Sequence, residues 1–171
     1  MISITKAEPK DIPILCSIGR QTLLESHGHS APQHVMLEYV DDKFSETFLT
    51  NELNDSDNIF HLIHYNNQPV GYSKIIYNIP IENMAAKNIT KMERLYVLQE
   101  FHSLKPGHEL MQFNIELSKQ NGQAGMWLYT WKENYRAINF YKRVGFVIVG
   151  DGFFRLTATH SNPNWQMFLQ Y

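Results

Sequence analysis

The sequence holds a single cysteine, Cys16. One thiol cannot close an internal disulfide, so a small stapled scaffold is excluded. Cys16 falls in a helical pattern with Ile12 and Leu15, and a free cysteine there reads as a small core residue. Long apolar runs are missing too, since none approaches the roughly 20 residues that cross a bilayer. The opening Met1-Ile2-Ser3-Ile4-Thr5-Lys6 has neither the basic start nor the apolar stretch of a signal peptide. Together these absences lead us to expect a soluble protein in a reducing, cytoplasmic setting, where the sequons at Asn54 and Asn88 carry no meaning. There is no basic surplus either. Lys and Arg number 15 against 17 Asp and Glu, a net charge of −2, which argues against a nucleic-acid binder. Repeats, low-complexity tracts and Gly/Ser linkers are also lacking.

What remains is a chain of 171 residues, 43% hydrophobic and 13% aromatic. That is enough for one domain, spanning 1–171, with a core needing neither metal nor disulfide. Ile2 and Ile4 alternate with polar residues, as in a half-buried strand. Pro9 and Asp11-Ile12-Pro13 open a helix that runs to about Glu25, where His27-Gly28-His29-Ser30 breaks it. His27 and His29 read as a helix-ending turn, with no further ligands to make a metal site. A second helix is expected over 33–53, carrying Met36, Leu37, Val40, Phe44, Phe48 and Leu49. The period then shortens. Strands at 59–65 and 70–77, joined by Asn66-Asn67-Gln68-Pro69, make a hairpin. A polar insertion from Pro80 to Lys87 precedes a strand over 89–98 and a loop over 99–106. A helix from Gly107 to Lys119 follows, then a strand at 126–130, a helix over 135–144 and strands at 146–149 and 165–169. The order β-α-α-β-β-β-α-β-α-β-β predicts an α/β (α+β) fold: one mixed, mostly antiparallel sheet with helices on both faces.

Two segments carry chemistry. In Glu93-Arg94-Leu95-Tyr96-Val97-Leu98 and the following Glu100 to Leu110, a strand ends, a short loop follows and a helix begins. A helix N-terminus offers free amides and partial positive charge, which suit a phosphate. An ordinary strand-to-helix connection would look the same. The second segment is Trp131-Lys132-Glu133-Asn134 through Gly145-Phe146. Asn134 suits a helix cap and Gly145 a left-handed helix end. Ala137, Phe140, Tyr141 and Val144 share a face. A capped amphipathic helix explains most of this, but a buried Tyr141 hydroxyl still needs a partner.

On these residues the chain resembles the GNAT acetyltransferases. Asn134-x-x-Ala137-x-x-Phe140-Tyr141-x-x-x-Gly145-Phe146 is similar to that superfamily's CoA-side motif, with six matching positions. The loop 102–107 resembles its Gln/Arg-x-x-Gly-x-Gly/Ala pyrophosphate loop, and the element order matches along nearly the whole chain. Within the superfamily, segments 69–74, 93–97 and 127–134 resemble the PaiA-type, polyamine-acetylating branch. Three positions depart from the loop pattern: His102 stands for Gln or Arg, Lys105 for Gly, and Pro106 has no N–H to donate. In the tail, Thr157, Thr159, Asn162 and Asn164 stand where that branch usually carries acidic residues.

The resemblance implies acetyl transfer from acetyl-CoA to a primary amine of a small, polyamine-like molecule, without metal. Tyr141 would give a proton to the CoA sulfur. Tyr96, Val97, His102, Leu104, Lys105, Gly107, His108, Asn134, Tyr141 and Arg143 would contact the CoA. Glu93 is the candidate general base; a salt bridge or a substrate contact is an equal reading, and solvent could take the proton instead. Glu25, Glu38, Asp41 and Asp42 are candidates to attract a cationic amine, or plain surface charges. Alternatives are acetylation of a protein or peptide amine, and a CoA-binding module without catalysis. By analogy of fold, a homodimer through the last strands is an expectation; a nucleic-acid or membrane partner is not.

Overall fold

Alternating Ile2 and Ile4 open the chain as strand β1 (Ile2–Lys6), followed by a 3-10 turn at Pro9–Asp11 and helix α1 (Ile12–His27). This computed structural model describes residues 1–82 and 84–171. Asn83, inside the expected insertion 80–87, lies outside the described residues. Helices α2 (Gln33–Lys43) and α3 (Glu46–Asn54) come next, then β2 (Ile59–Tyr65), β3 (Gln68–Ile76) and β4 (Thr90–Val97). A 3-10 helix at Gln99–Leu104 leads into α4 (Pro106–Gln120). β5 (Gly125–Trp131), α5 (Tyr135–Val144), β6 (Val147–Arg155) and β7 (Ser161–Gln170) complete the chain. The seven strands are hydrogen-bonded in the order β1-β2-β3-β4-β5-β7-β6. Among the described residues the ladders β1–β2, β2–β3, β5–β7 and β6–β7 are antiparallel and β4–β5 is parallel, so the sheet is mixed and mostly antiparallel, as expected.

Three expectations need correction. The single helix over 33–53 is two helices. Phe44 leaves helical geometry at φ −121°, ψ 29°, and the Ser45 hydroxyl then caps α3 by accepting the Phe48 N–H at 3.2 Å. The apolar period runs on through Phe44, which masked the break, while the cap Ser45 marks it. The last two strands are longer than expected and form a hairpin with partners from Val147↔Phe168 to Arg155↔Ser161. Gly150, Gly152 and Pro163 look like breakers in the sequence but sit inside these strands. Finally, the expected loop 99–106 is mostly 3-10 helix.

The chain forms two compact units. The first comprises Met1–Ile75 and Arg94–Asn114. In it, α1 buries Leu15, Cys16, Ile18 and Leu23, which places Cys16 in the core as read. Asn66 and Asn67 both take positive φ, 48° and 65°, the geometry of a tight two-residue hairpin turn between β2 and β3. Successive residues of β4 point opposite ways. Arg94 lies over the Phe44 ring between α2 and α3, while Leu95 packs with Ile63, Val70 and Leu110 of α4. Helices therefore cover both faces of this part of the sheet.

The second unit comprises Ile76–Glu93 and Ile115–Tyr171. Its parallel ladder pairs Thr90 with Met126 and Lys91 with Trp127. The Thr90 and Ser118 hydroxyls share a 2.6 Å hydrogen bond. β5 then pairs with β7 from Gly125↔Gln170 to Trp131↔Asn164. Trp127 is buried against Ile81 and Ile89, and its indole N–H donates to the Ile79 carbonyl at 2.7 Å.

Candidate active site

In the first unit the end of β4 runs straight into the expected phosphate loop. Tyr96 is half-buried, its ring centroid 5.4 Å from that of Tyr72 and 6.1 Å from that of Phe44. The His102 imidazole folds back so that Nε2 lies 2.8 Å from the Val97 carbonyl oxygen. An N–H at Nε2 donates there, so this ring fixes the strand end. Glu25, read as a candidate for attracting an amine, instead accepts the Gln99 N–H at 3.0 Å and so caps the 3-10 helix. Asp41 pairs with Arg20 at 2.6 Å and Asp42 with Lys43 at 2.9 Å. Glu38 is an exposed position on α2.

Lys105 ends the 3-10 helix at φ 60°, ψ 30°, in the left-handed region. Its carbonyl accepts the His108 N–H at 3.0 Å, so the same residue starts α4. Pro106 takes the first helical position, where its fixed φ suits the turn and its missing N–H costs no helical bond. Gly107 follows. A methyl group placed on it would meet only Val97 Cγ2, at 3.7 Å, so its backbone borders open space. Leu104, Lys105 and His108 are all exposed. Open backbone at a helix N-terminus, with a lysine beside it, fits a pyrophosphate.

An open hollow of about 300 Å³ also lies in this unit, lined by Pro13, Ile14, Ser17, Ile18, Gln21, Pro69 and Leu98. None of the expected site residues lines it. Sequence reading missed a largely buried charge cluster in the same unit. Glu52 of α3 receives Lys74 of β3 at 2.7 Å and both terminal nitrogens of Arg94. Its only sequence signal is a cation inside each of two apolar strands.

In the second unit Asn134 caps α5 as read, its Oδ1 accepting the Ala137 N–H at 3.2 Å. Gly145 closes the helix at φ 116°, and Gly145 and Phe146 both donate to the Tyr141 carbonyl. Tyr141 is half-buried between Phe140 and Phe146, at 5.4 and 5.8 Å between centroids. Arg143 is exposed on the same helix. Glu93 is half-buried and ion-paired with Lys91 at 3.3 Å, and the Lys91 ammonium lies over the Trp127 ring. Among the described residues no group of three or more His, Cys, Asp or Glu could hold a metal.

Comparison with known proteins bears on this arrangement. The profile of the Acetyltransferase (GNAT) family matches residues 21–146, well over half the chain. An uncharacterised N-acetyltransferase of Lactobacillus delbrueckii subsp. lactis is 24% identical over 144 residues, 84% of this chain and 83% of that protein. An uncharacterised N-acetyltransferase of Mycobacterium bovis is 27% identical over 132 residues, 77% of this chain and 80% of that one. Among solved structures, the PaiA N-acetyltransferase of Thermoplasma acidophilum in complex with coenzyme A is similar in fold. Its TM-score is 0.81 at 20% identity, covering 100% of this chain and 99% of that one. The ribosomal-protein-S18-alanine N-acetyltransferase of Escherichia coli gives 0.71 at 17% identity, covering 99% and 94%. The chain belongs to the GNAT family and is an acetyl-CoA-dependent N-acetyltransferase of that type.

Proposed function

We propose that the chain, acting as one domain, moves an acetyl group from acetyl-CoA to the primary amine of a small molecule, with Tyr141 as general acid. The observation that supports this is the α5 segment, where Asn134 caps the helix, Tyr141 is half-buried and Gly145 ends the helix in the left-handed region. In this reading Lys105, Gly107 and His108 hold the pyrophosphate, with Leu104 against the cofactor. Tyr96 and Val97 border the thioester arm, and Asn134 and Arg143 bind further along it. His102 acts through Val97, by fixing the strand end. The bound CoA supplies an activated acyl group as a thioester.

The chain's own residues then manage protons. A phenol, with an ordinary pKa of about 10, is protonated at neutral pH and can donate. The amine nitrogen attacks as a neutral base; a C–N bond forms and the C–S bond breaks. Tyr141 gives its proton to the departing sulfur, and the surplus proton on nitrogen passes to Glu93 or to solvent. A backbone N–H near Val97 would stabilise the carbonyl oxygen.

A polyamine-like acceptor is supported by the likeness to the PaiA enzyme, and a protein or peptide amine by the likeness to the alanine acetyltransferase. A homodimer through the last strands is in keeping with β6 lying at the sheet edge. A cytoplasmic setting is in keeping with a described chain in which no helix is long and apolar enough to cross a membrane. A second reading, CoA binding without catalysis, draws on Pro106, which removes one amide from the loop.

The test is amine-dependent thiol release from acetyl-CoA, run beside calorimetric titration with CoA. We expect saturable CoA binding and turnover with an added amine. CoA binding without turnover on any amine would favour the second reading, and no binding would overturn both.

A further inference from the structure

In the second unit β6 is the terminal strand of the sheet order, and among the described residues it pairs with β7 alone. An open edge is a template for another strand, and proteins commonly blunt it. A bulge does interrupt the ladder between Ile148 and Gly150, but from Gly150 to Arg155 the register is unbroken. Val147, Ile148, Val149 and Phe153 are all exposed along this strand, Phe153 at 80%. Four large apolar side chains on one edge go beyond the isolated ones that any surface carries.

Pro163 fixes which backbone groups the edge offers. Phe153 stands opposite Pro163 on β7. Proline has no N–H, and the Pro163 carbonyl accepts the Lys132 N–H at 2.9 Å, on the β5 side. Phe153 and Pro163 are therefore a non-hydrogen-bonded pair, so the Phe153 N–H and C=O point away from β7. By alternation those of Asp151 and Arg155 do too, while Gly152 and Phe154 face the β7 ladder. The side chains of Asp151, Phe153 and Arg155 share one face.

We propose that the occupant of this edge is a second copy of the chain, its β6 antiparallel to the first, with Phe153 on the two-fold axis. In that register Asp151 of each copy faces Arg155 of the other, twice by symmetry. The outward backbone groups of Asp151, Phe153 and Arg155 then meet as hydrogen-bonded pairs, and the two Phe153 rings come together on one face. The charges are placed for this. Lys132 holds Asp151 Oδ2 at 3.2 Å while that carboxylate stays largely exposed. The Arg155 Nε donates to the Thr157 carbonyl at 3.1 Å, so its terminal nitrogens are the ones that reach across. Shifted registers that keep the outward groups paired are poorer. They set Asp151 against Asp151, Arg155 against Arg155, or one of these charges against Phe153. The inference rests on the homodimer of the reading above and narrows it to one pairing.

The experiment is sedimentation equilibrium of the full chain over a wide concentration range. A dimer is expected for the wild type. Arg155→Asp sets two carboxylates against each other at both ends of the pairing and should raise the dissociation constant about tenfold or more. Asp151→Arg should do the same with two arginines. The double variant, Asp151→Arg with Arg155→Asp, restores both opposite-charge pairs and should return the constant towards the wild-type value. Circular dichroism and urea unfolding check that each variant is folded. A monomeric wild type, a dimer indifferent to Arg155→Asp, or a double variant no tighter than the single ones overturns the inference. CoA titration and thiol release decide acetyl transfer separately, so the two failures are told apart.

Discussion

Arg94 sets both of its terminal nitrogens on the Glu52 carboxylate, which also takes the Lys74 ammonium at 2.7 Å. The three side chains are 10%, 15% and 4% exposed. A buried and a half-buried cation thus share one carboxylate. Removing it takes a counter-charge from both, whereas the intact cluster adds little over a well-packed apolar one. Glu52→Gln keeps the shape and removes the charge. We expect a loss of about 3–5 kcal/mol, read from urea unfolding. A loss below about 1 kcal/mol would mean that solvent reaches the cluster.

Lys105 gives the opposite sign. A side chain at φ 60° costs on the order of 1–2 kcal/mol relative to glycine. Glycine's extra freedom in the unfolded chain returns part of that. Lys105→Gly should therefore stabilise the protein by up to about 1 kcal/mol, raising Tm by about 2–4 °C in scanning calorimetry. A lower Tm would show that the lysine side chain makes contacts worth more than the strain.

The third expectation concerns pH. Burial, with a smaller contribution from Lys6, lowers the His61 pKa to about 4. Burial beside His29 does the same for His27. Between about pH 6.5 and 4 the unfolded chain binds more protons at these positions than the folded one. Their contribution is therefore complete above pH 6.5 and is lost as pH falls towards 4. Unfolding free energy measured in urea at pH 7 and pH 4.5 should fall in the wild type. It should fall less in His61→Leu, which removes one of the two groups. Equal losses would place the acid sensitivity elsewhere.

Local signals made much of this legible in the sequence. The α5 boundaries follow from Asn134 and Gly145, each of which acts within a few residues of itself. The β2–β3 hairpin follows from Asn66-Asn67 between two apolar runs. The unexpected features depend on distant residues. Glu52 meets Arg94 across 42 positions of chain, and nothing near Glu52 marks it as buried. Gly150 and Gly152 lie inside β6, and only the structure shows Gln166 and Tyr129 leaning over them. Lys105 was the reverse case. The departure from glycine was plain, but only the structure shows that lysine adopts the glycine-like conformation. Asn164 stood out as a missing acid, and only its burial shows an acceptor oxygen without a donor.

The most direct test of the account is the maximal rate of acetyl transfer by Tyr141→Phe at saturating acetyl-CoA, relative to the wild type. The phenol is assigned the proton given to the departing sulfur, so its removal should lower kcat by about tenfold or more. An unchanged kcat would take Tyr141 out of the mechanism.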